Sequence, residues 1–104
     1  MVAQIQRIEK FTERGRESFL ATDETQYAVT MAYIILGEAA KNLADDLLEK
    51  YPAVNWRQIK GFRDFLIHSY HRVQPARIWE AVELLPTLKA VVEAMQNDLN
   101  QNES

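Results

Sequence analysis

Both histidines of this chain lie in its one basic segment. Residues 57–77 carry five Arg or Lys residues and a single acid, together with His68 and His71. Imidazole exchanges protons near neutral pH, and the guanidinium of Arg63 offers a rigid fork of donors that suits phosphate oxygens. Asp64 stands four residues before His68, where it could orient the ring. The segment predicts acid–base chemistry beside a bound anion, and the alternative interpretation is an ordinary solvated face.

Neither a metal centre nor a cofactor is predicted. The chain has no cysteine, which excludes thiolate metal sites, cysteine nucleophiles and disulfide frameworks. His68 and His71 could share a metal ion with Asp64 as a third ligand, but no further His or Cys completes a common set. Gly-rich phosphate loops and serine triads are also absent from the sequence.

The basic segment coincides with a predicted helix that begins after Asn55, a good N-cap residue. Its apolar stripe consists of Ile59, Phe62, Leu66, Tyr70 and Val73. Phe65 and Ile67 fall on opposite flanks of that stripe, so the helix is apolar over a wider arc than one small bundle covers. The polar groups at its edge are Arg63, Asp64, His68 and His71. We therefore expect a partner subunit on this helix, with the polar groups of two copies converging there.

Two further helices are predicted before this one. The first contains Val2, Ile5 and Ile8 at helical spacing. The second extends from an N-cap at residues 22–23 through Leu47 and Leu48 and is ended by Pro52. Glycine in its middle, at position 37, costs about 1 kcal/mol relative to Ala, which predicts a close helix crossing there.

The C-terminal part of the chain predicts another helix with a break. Pro75 suits the first turn of a helix, and Pro86 is expected to kink or break it. No segment has the alternating pattern of a strand, so we predict an all-α bundle of four to five helices. Residues 1–96 are expected to form one domain, and residues 97–104 a polar, frayed tail.

Composition limits the class of protein. The chain of 104 residues is 47% apolar and 26% charged, which excludes a disordered protein. The net charge of −3 argues against a nucleic-acid binder held only by bulk positive charge. No apolar run approaches 18 residues, and no signal peptide is recognisable. A cytoplasmic protein with no membrane partner is expected.

Residues 61–70, GFRDFLIHSY, resemble the motif of the HEPN superfamily in its HepT-like toxin branch. The motif consists of Arg, a polar residue, three further residues, His, one residue and Tyr. Residues 37–41, GEAAK, are similar to a helix signature of that branch, and the similarity spans nearly the whole chain. The chain departs from the pattern at Asp64 and Ser69, where Asn and Glu are commoner, and in a shorter first helix.

The resemblance implies a HEPN-type bundle that works as a homodimer and a metal-independent endoribonuclease toxin with its active site at the subunit interface. Arg63 and His68 would be the catalytic residues, with Asp64 in support, and the substrate would be tRNA or mRNA. Cleavage through the 2′-hydroxyl needs a base, an acid and positive charge on the phosphate. Each imidazole in such a role contributes on the order of 10² to 10⁴ in rate, and a dimer supplies two.

The resemblance also implies a partner, an MntA-like nucleotidyltransferase antitoxin that transfers AMP to Tyr70 and that could join the homodimer in a larger hetero-oligomer. Without the resemblance, Tyr70 on the core stripe would be interpreted as a packing residue. His71, outside the motif, is interpreted as facing RNA or solvent. The alternative hypotheses are a non-catalytic helical module that docks a nucleotidyltransferase and a helical adaptor with a fortuitous motif. The intact motif favours the enzyme.

Overall fold

The computed structural model describes residues 1–103, with side chains as far as Gln101. These residues form seven α-helices and one 3₁₀ turn, without a strand. The helices are α1 Val2–Phe11, α2 Arg16–Ala21, α3 Asp23–Lys41, α4 Asp45–Glu49, α5 Trp56–Ser69, α6 Pro75–Glu83 and α7 Leu85–Glu103, and the 3₁₀ turn is Tyr70–Arg72. The predicted all-α bundle is confirmed, although its helices are shorter and more numerous than expected.

Helices α3 and α5 form the central antiparallel pair. Tyr33 contacts Phe62 edge-on with ring centroids 5.7 Å apart, whereas the earlier Tyr27 contacts the later Tyr70 at 5.2 Å. Helices α1, α2 and α6 also pack against α3, and α7 packs against α1 and α6. The most completely buried large side chains come from five helices: Ile5, Ile8, Phe19, Val29, Leu36, Leu66 and Ile78. The core therefore lies on one side of the α3–α5 pair.

The second predicted helix is in fact two helices. α3 ends at Lys41, and α4 begins only at Asp45 after an extended residue, Ala44. The break coincides with Asn42, a weak helix former, and with two acids, Asp45 and Asp46, that stabilise a new helix N-terminus. The apolar spacing continues across the break, so a prediction from periodicity alone treats the two segments as one helix.

A short helix, α2, was not predicted. Gly15 precedes it with a φ of 89°, in the left-handed region that glycine adopts most readily. Phe19 of α2 is fully buried and contacts Trp79 at 5.4 Å between ring centroids. The side-chain amide of Gln26 donates to the carbonyl oxygens of Phe19 and Leu20 at 3.0 and 3.2 Å, which fastens α2 to α3.

Helix α5 begins where it was predicted and ends earlier. The Asn55 side chain accepts a hydrogen bond from the Gln58 backbone N–H at 3.0 Å, so the predicted N-cap is confirmed. The helix ends at Ser69, not at Val73: the φ of −136° at Ser69 departs from helical values, and Val73 and Gln74 are extended ahead of Pro75. A proline disfavours helical backbone in the residue before it.

The C-terminal helices follow the predicted pattern of prolines. Pro75 lies in the first turn of α6, and the helix breaks at Leu84 ahead of Pro86. α7 then continues to Glu103, across the expected boundary at residue 96, and the Tyr51 hydroxyl donates to Asp98 at 2.5 Å. The tail is therefore helical through residues 97–103, and its fraying stays a prediction. Ser104 lies outside the described residues.

Candidate functional site

The helices α3 and α5 cross where Gly37 lies against Arg63. A Cβ on Gly37 would stand 2.3 Å from Cβ and 2.8 Å from Cγ of Arg63, closer than side-chain atoms approach each other. Only glycine permits this spacing, which confirms the predicted close crossing. The Arg63 side chain consequently lies across α3 and meets the residues that follow Gly37.

An ion-pair network holds the Arg63 guanidinium. Its Nη2 donates to Glu38 Oε2 at 2.5 Å and its Nη1 donates to Asp64 Oδ1 at 2.8 Å. Lys41 Nζ donates to the same Asp64 oxygen at 2.7 Å. The Arg63 Nε is buried and has no hydrogen-bond partner among the described residues. Both terminal nitrogens therefore have fixed directions, set by one carboxylate from each helix.

The network favours the charged forms of Asp64 and Arg63. The hydrogen bond from Lys41, followed by that from Arg63, lowers the pKa of the Asp64 carboxyl below its ordinary value. The hydrogen bond to Asp64 and the charge of Glu38 raise the pKa of Arg63. A lowered carboxyl pKa keeps Asp64 ionised until the pH falls below its ordinary range, so the network persists at neutral pH. Because these groups are solvent-accessible, the network orients Arg63 more than it stabilises the fold.

His68 lies apart from this network. It follows Arg63 by five residues, which places it roughly 140° further round the helix. The imidazole is exposed and makes no side-chain hydrogen bond or ion pair within the described part of the chain. Within one copy Asp64 accepts hydrogen bonds from Lys41 and Arg63 and makes none with His68. The expectation that Asp64 orients His68 stays a prediction. Arg63 and His68 also share no hydrogen bond within one copy and extend from different sides of α5.

The HepT-like family model, described as ribonuclease HepT-like, matches residues 1–95. The chain belongs to the ribonuclease HepT-like family. The "Probable ribonuclease HepT" of Thermococcus cleftensis is 40% identical over 94 residues, which are 88% of this chain and 86% of that protein. A relative from Methanocaldococcus jannaschii with RNase in its name is 34% identical over 86 residues, 82% of this chain and 74% of that protein. Among solved structures, none matches the chain.

Family membership confirms the resemblance that residues 37–41 and 61–70 indicated. It also confirms the predicted HEPN-type helical fold and, at the level of the family, the ribonuclease class. The two segments that carry the resemblance are the ones in contact at the α3–α5 crossing. The family's two sequence signatures thus form one three-dimensional feature in this HepT-like chain.

Tyr70 lies in the 3₁₀ turn, not on the helical core stripe. Its half-buried ring packs against Tyr27 of α3 at 5.2 Å between centroids. Desolvation, followed by the nearby Tyr27 hydroxyl and Asp23 carboxylate, raises the pKa of the Tyr70 phenol above its ordinary value. Tyr70 is therefore a neutral hydroxyl at physiological pH.

His71 is exposed in the same 3₁₀ turn, and its side chain makes no hydrogen bond within the described residues. Residues 1–101, whose side chains the structure describes, contain no group of three His, Asp or Glu residues arranged to hold a metal ion. None of the described helices is both long and apolar enough to cross a membrane.

Sequence reasoning gave no role to Glu38, Lys41 or Tyr27, which lie in the site. Glu38 and Lys41 stand in the 37–41 signature, which was a usable signal of importance but did not indicate their partners. Tyr27 has no comparable signal, because its contact with Tyr70 depends on how α3 and the 3₁₀ turn pack.

Proposed function

We propose that this HepT-like chain is a metal-independent endoribonuclease whose active site forms between two copies, with Arg63 and His68 as the catalytic residues. The observation that carries the proposal is the divergence of these two side chains within one copy. Arg63 is held against α3, whereas His68 faces solvent without a partner in the described chain. A site that requires both groups is complete only when a second copy supplies the missing one.

An exposed apolar face offers a surface for that second copy. Tyr27, Met31 and Ile35 recur every fourth residue on the side of α3 away from the core, and Met31 is 56% exposed. Ile67 of α5 is also exposed, and the antiparallel packing puts it on the same side of the pair. Neighbouring exposed apolar residues of this kind mark an interaction site more often than scattered ones do. Asp64 and His68 lie at the rim of this face.

The proposed chemistry uses this rim. One His68 removes the proton of the RNA 2′-hydroxyl, whose oxygen attacks the adjacent phosphorus. The bond from phosphorus to the 5′-oxygen breaks, and the second His68 gives that oxygen a proton. Arg63 stabilises the charge on the phosphate, and Asp64 with Glu38 keeps the guanidinium in position. The substrates we propose are tRNA or mRNA.

Expression of the wild type and of His68→Ala without any partner tests the ribonuclease. We expect the wild type to arrest bacterial growth and to cleave tRNA or mRNA, and His68→Ala to do neither. His71→Ala is the matched control, because His71 is exposed in the next turn and is expected to stay active. A wild type as harmless as His68→Ala, carrying no AMP on Tyr70, would favour a non-catalytic module that docks a nucleotidyltransferase.

We further propose that the chain is the cytoplasmic toxin of a toxin–antitoxin pair, silenced when an MntA-like nucleotidyltransferase modifies Tyr70. The phenol oxygen would attack the α-phosphorus of ATP, pyrophosphate would leave, and the phenol proton would pass to a base. The AMP group would add negative charge and a nucleotide beside the basic residues 57–77, where RNA is proposed to lie.

Tyr70→Phe tests the silencing. Co-expressed with the nucleotidyltransferase, the wild type should gain the mass of AMP and lose toxicity, whereas Tyr70→Phe should stay unmodified and toxic. Tyr27→Phe is the control for the neighbouring hydroxyl and should still be silenced. Silencing of Tyr70→Phe to the same degree, by an active nucleotidyltransferase, would contradict the proposal.

A further inference from the structure

We infer that single-stranded RNA lies along the outer edge of α5, where Phe65 stacks on a base and Arg57 and Arg72 contact phosphates. The inference rests on the proposed ribonuclease function and identifies substrate contacts of that same site. Two observations support it: the order of side chains along one edge of α5, and the exposure and bonding partners of each of those side chains.

The edge is a single row of residues. Arg57, Gly61, Phe65 and His68 follow one another at spacings of four, four and three, so consecutive turns of α5 present them on one side. Arg72 lies beyond the end of α5, in the 3₁₀ turn that follows. Arg57 and His68 are eleven residues apart, which corresponds to roughly 16 Å along the helix. That length accommodates several nucleotides of an extended strand, with the proposed catalytic imidazole at the C-terminal end of the row.

Phe65 does not belong to the exposed apolar face that Tyr27, Met31 and Ile35 of α3 form with Ile67 of α5. It is 42% exposed and lies on the opposite flank of α5 from Ile67. An exposed aromatic ring among cations is the arrangement with which proteins bind single strands, because every base has a face that stacks. The neighbouring Asp64 does not oppose an anionic ligand strongly, because its carboxylate is already paired with Lys41 and Arg63.

Two cations along this edge are available for phosphates. The side chains of Arg57 and Arg72 are exposed and make no hydrogen bond or ion pair with any residue that the structure describes. The other cations of the basic segment differ: Arg63, Lys60 and Arg77 each pair with an acid of this chain. Gly61 lies between them without a side chain, and nothing lies within 4 Å of where its Cβ would be. The helix surface at Gly61 is therefore open to a close-lying strand.

Binding of a fluorescein-labelled 2′-O-methyl oligonucleotide of mixed sequence, which cannot be cleaved through its 2′-oxygen, tests the stacking. We expect Phe65→Ala to weaken binding roughly 5- to 150-fold, the range found when a stacking aromatic is removed. Phe65→Leu should lose most of the affinity as well, whereas Phe65→Tyr should retain it. If Phe65 instead formed an apolar subunit contact, Phe65→Leu would retain the affinity. Phe65→Ala would then lose that contact and change the sedimentation coefficient.

The phosphate contacts are tested by the salt dependence of the same binding. Arg57→Gln and Arg72→Gln should each reduce the slope of log affinity against log salt by about 0.7, as expected for one phosphate of a single strand. Arg14→Gln is the matched control, because Arg14 is exposed outside the row and has no ion-pair partner among the described residues.

If Phe65→Ala bound the oligonucleotide as tightly as the wild type, or if this substitution converted a dimer to a monomer, the inference would be overturned but the proposed function would not. The ribonuclease would then stand on the His68→Ala result. A wild type that neither binds this oligonucleotide nor cleaves RNA would overturn the proposed function and the inference together.

Discussion

Arg63 shows how a single side chain can be fixed before a substrate arrives. A carboxylate from α3 and one from α5 hold its two terminal nitrogens, and Gly37 removes the side chain that would otherwise push it away. In the proposed enzyme this fixed geometry means that little reorganisation is needed when charge develops on the phosphate. The same two acids also compete with that phosphate, although each terminal nitrogen keeps a second N–H that a phosphate oxygen can accept.

Tyr33 carries a prediction about stability and alkaline pH. The residue is 6% exposed, and its hydroxyl has no hydrogen-bond partner among the described residues. Burial raises the pKa of the phenol far above its ordinary value. The hydroxyl is therefore neutral in the folded protein at a pH where the unfolded chain ionises, and folding stability falls as the pH rises above about 10.

We expect Tyr33→Phe to reduce this fall, and to leave stability at neutral pH unchanged or raise it by up to about 1 kcal/mol, because an unsatisfied buried group is removed. Urea unfolding at neutral pH and above pH 10 measures both effects. Tyr51 and Tyr70 also have raised pKa values, so part of the alkaline dependence should remain. Identical pH profiles for Tyr33→Phe and wild type would contradict the assignment.

The residues of the site were predictable to the extent that they share a local pattern. Arg63, His68 and Tyr70 lie within eight residues, so one motif contains all three. Glu38 lies 25 residues before Arg63, and only the helix crossing brings the two together. The pairing of Asp64 with His68 was predicted from spacing along one helix. Such spacing contains no information about Lys41 of α3, which binds Asp64 in the structure.

The helix boundaries were predictable where a residue at or next to the boundary marks it. Asn55 and Pro75 mark the starts of α5 and α6 through their own backbone preferences, and Pro86 marks the break before α7. The break after Lys41 has no comparable signal, because the apolar spacing continues across it. The end of α5 at Ser69 has no such marker, because Pro75 restricts only Gln74, the residue directly before it.

At the scale of the helices, substitutions of the two helical glycines, Gly37 and Gly61, should change the stability of the protein in opposite directions. Gly37→Ala should separate α3 from α5 and destabilise the protein by about 1–3 kcal/mol, because the added methyl overlaps the Arg63 side chain. Gly61→Ala is the matched control. It adds the same methyl to open space and should stabilise α5 by about 0.5–1 kcal/mol. Thermal unfolding of both variants checks the signs, and a stabilising Gly37→Ala would show that the crossing is looser than described.

At the scale of the whole molecule, the apolar face of α3 and Ile67 leads to a prediction about assembly. Met31→Lys places a charge at the centre of that face and should convert the proposed dimer to a folded monomer without ribonuclease activity. Leu84→Lys is the control, because Leu84 is similarly exposed, at 60%, but lies between α6 and α7. Sedimentation velocity distinguishes the two variants. A dimer of Met31→Lys would place the subunit contact elsewhere.

Mixing active and inactive chains tests whether the site is shared between copies. The proposed cleavage uses His68 of both subunits, so a dimer of one wild-type chain and one His68→Ala chain should be inactive. Refolding the two in equal amounts should then give about a quarter of the activity of the same total amount of wild type, because about a quarter of the dimers are wild type in both chains. A site contained within one copy would retain about half.

The buried Nε of Arg63 has a practical consequence for spectroscopy. An N–H bond hidden from water exchanges its proton slowly, so this group should give a resolved resonance at neutral pH, where the side-chain signals of exposed arginines are broadened by exchange. Its chemical shift would respond to anything that disturbs the two carboxylates beside it. Nucleotide binding, subunit association and covalent modification could then all be followed at one atom, without a label attached to the protein.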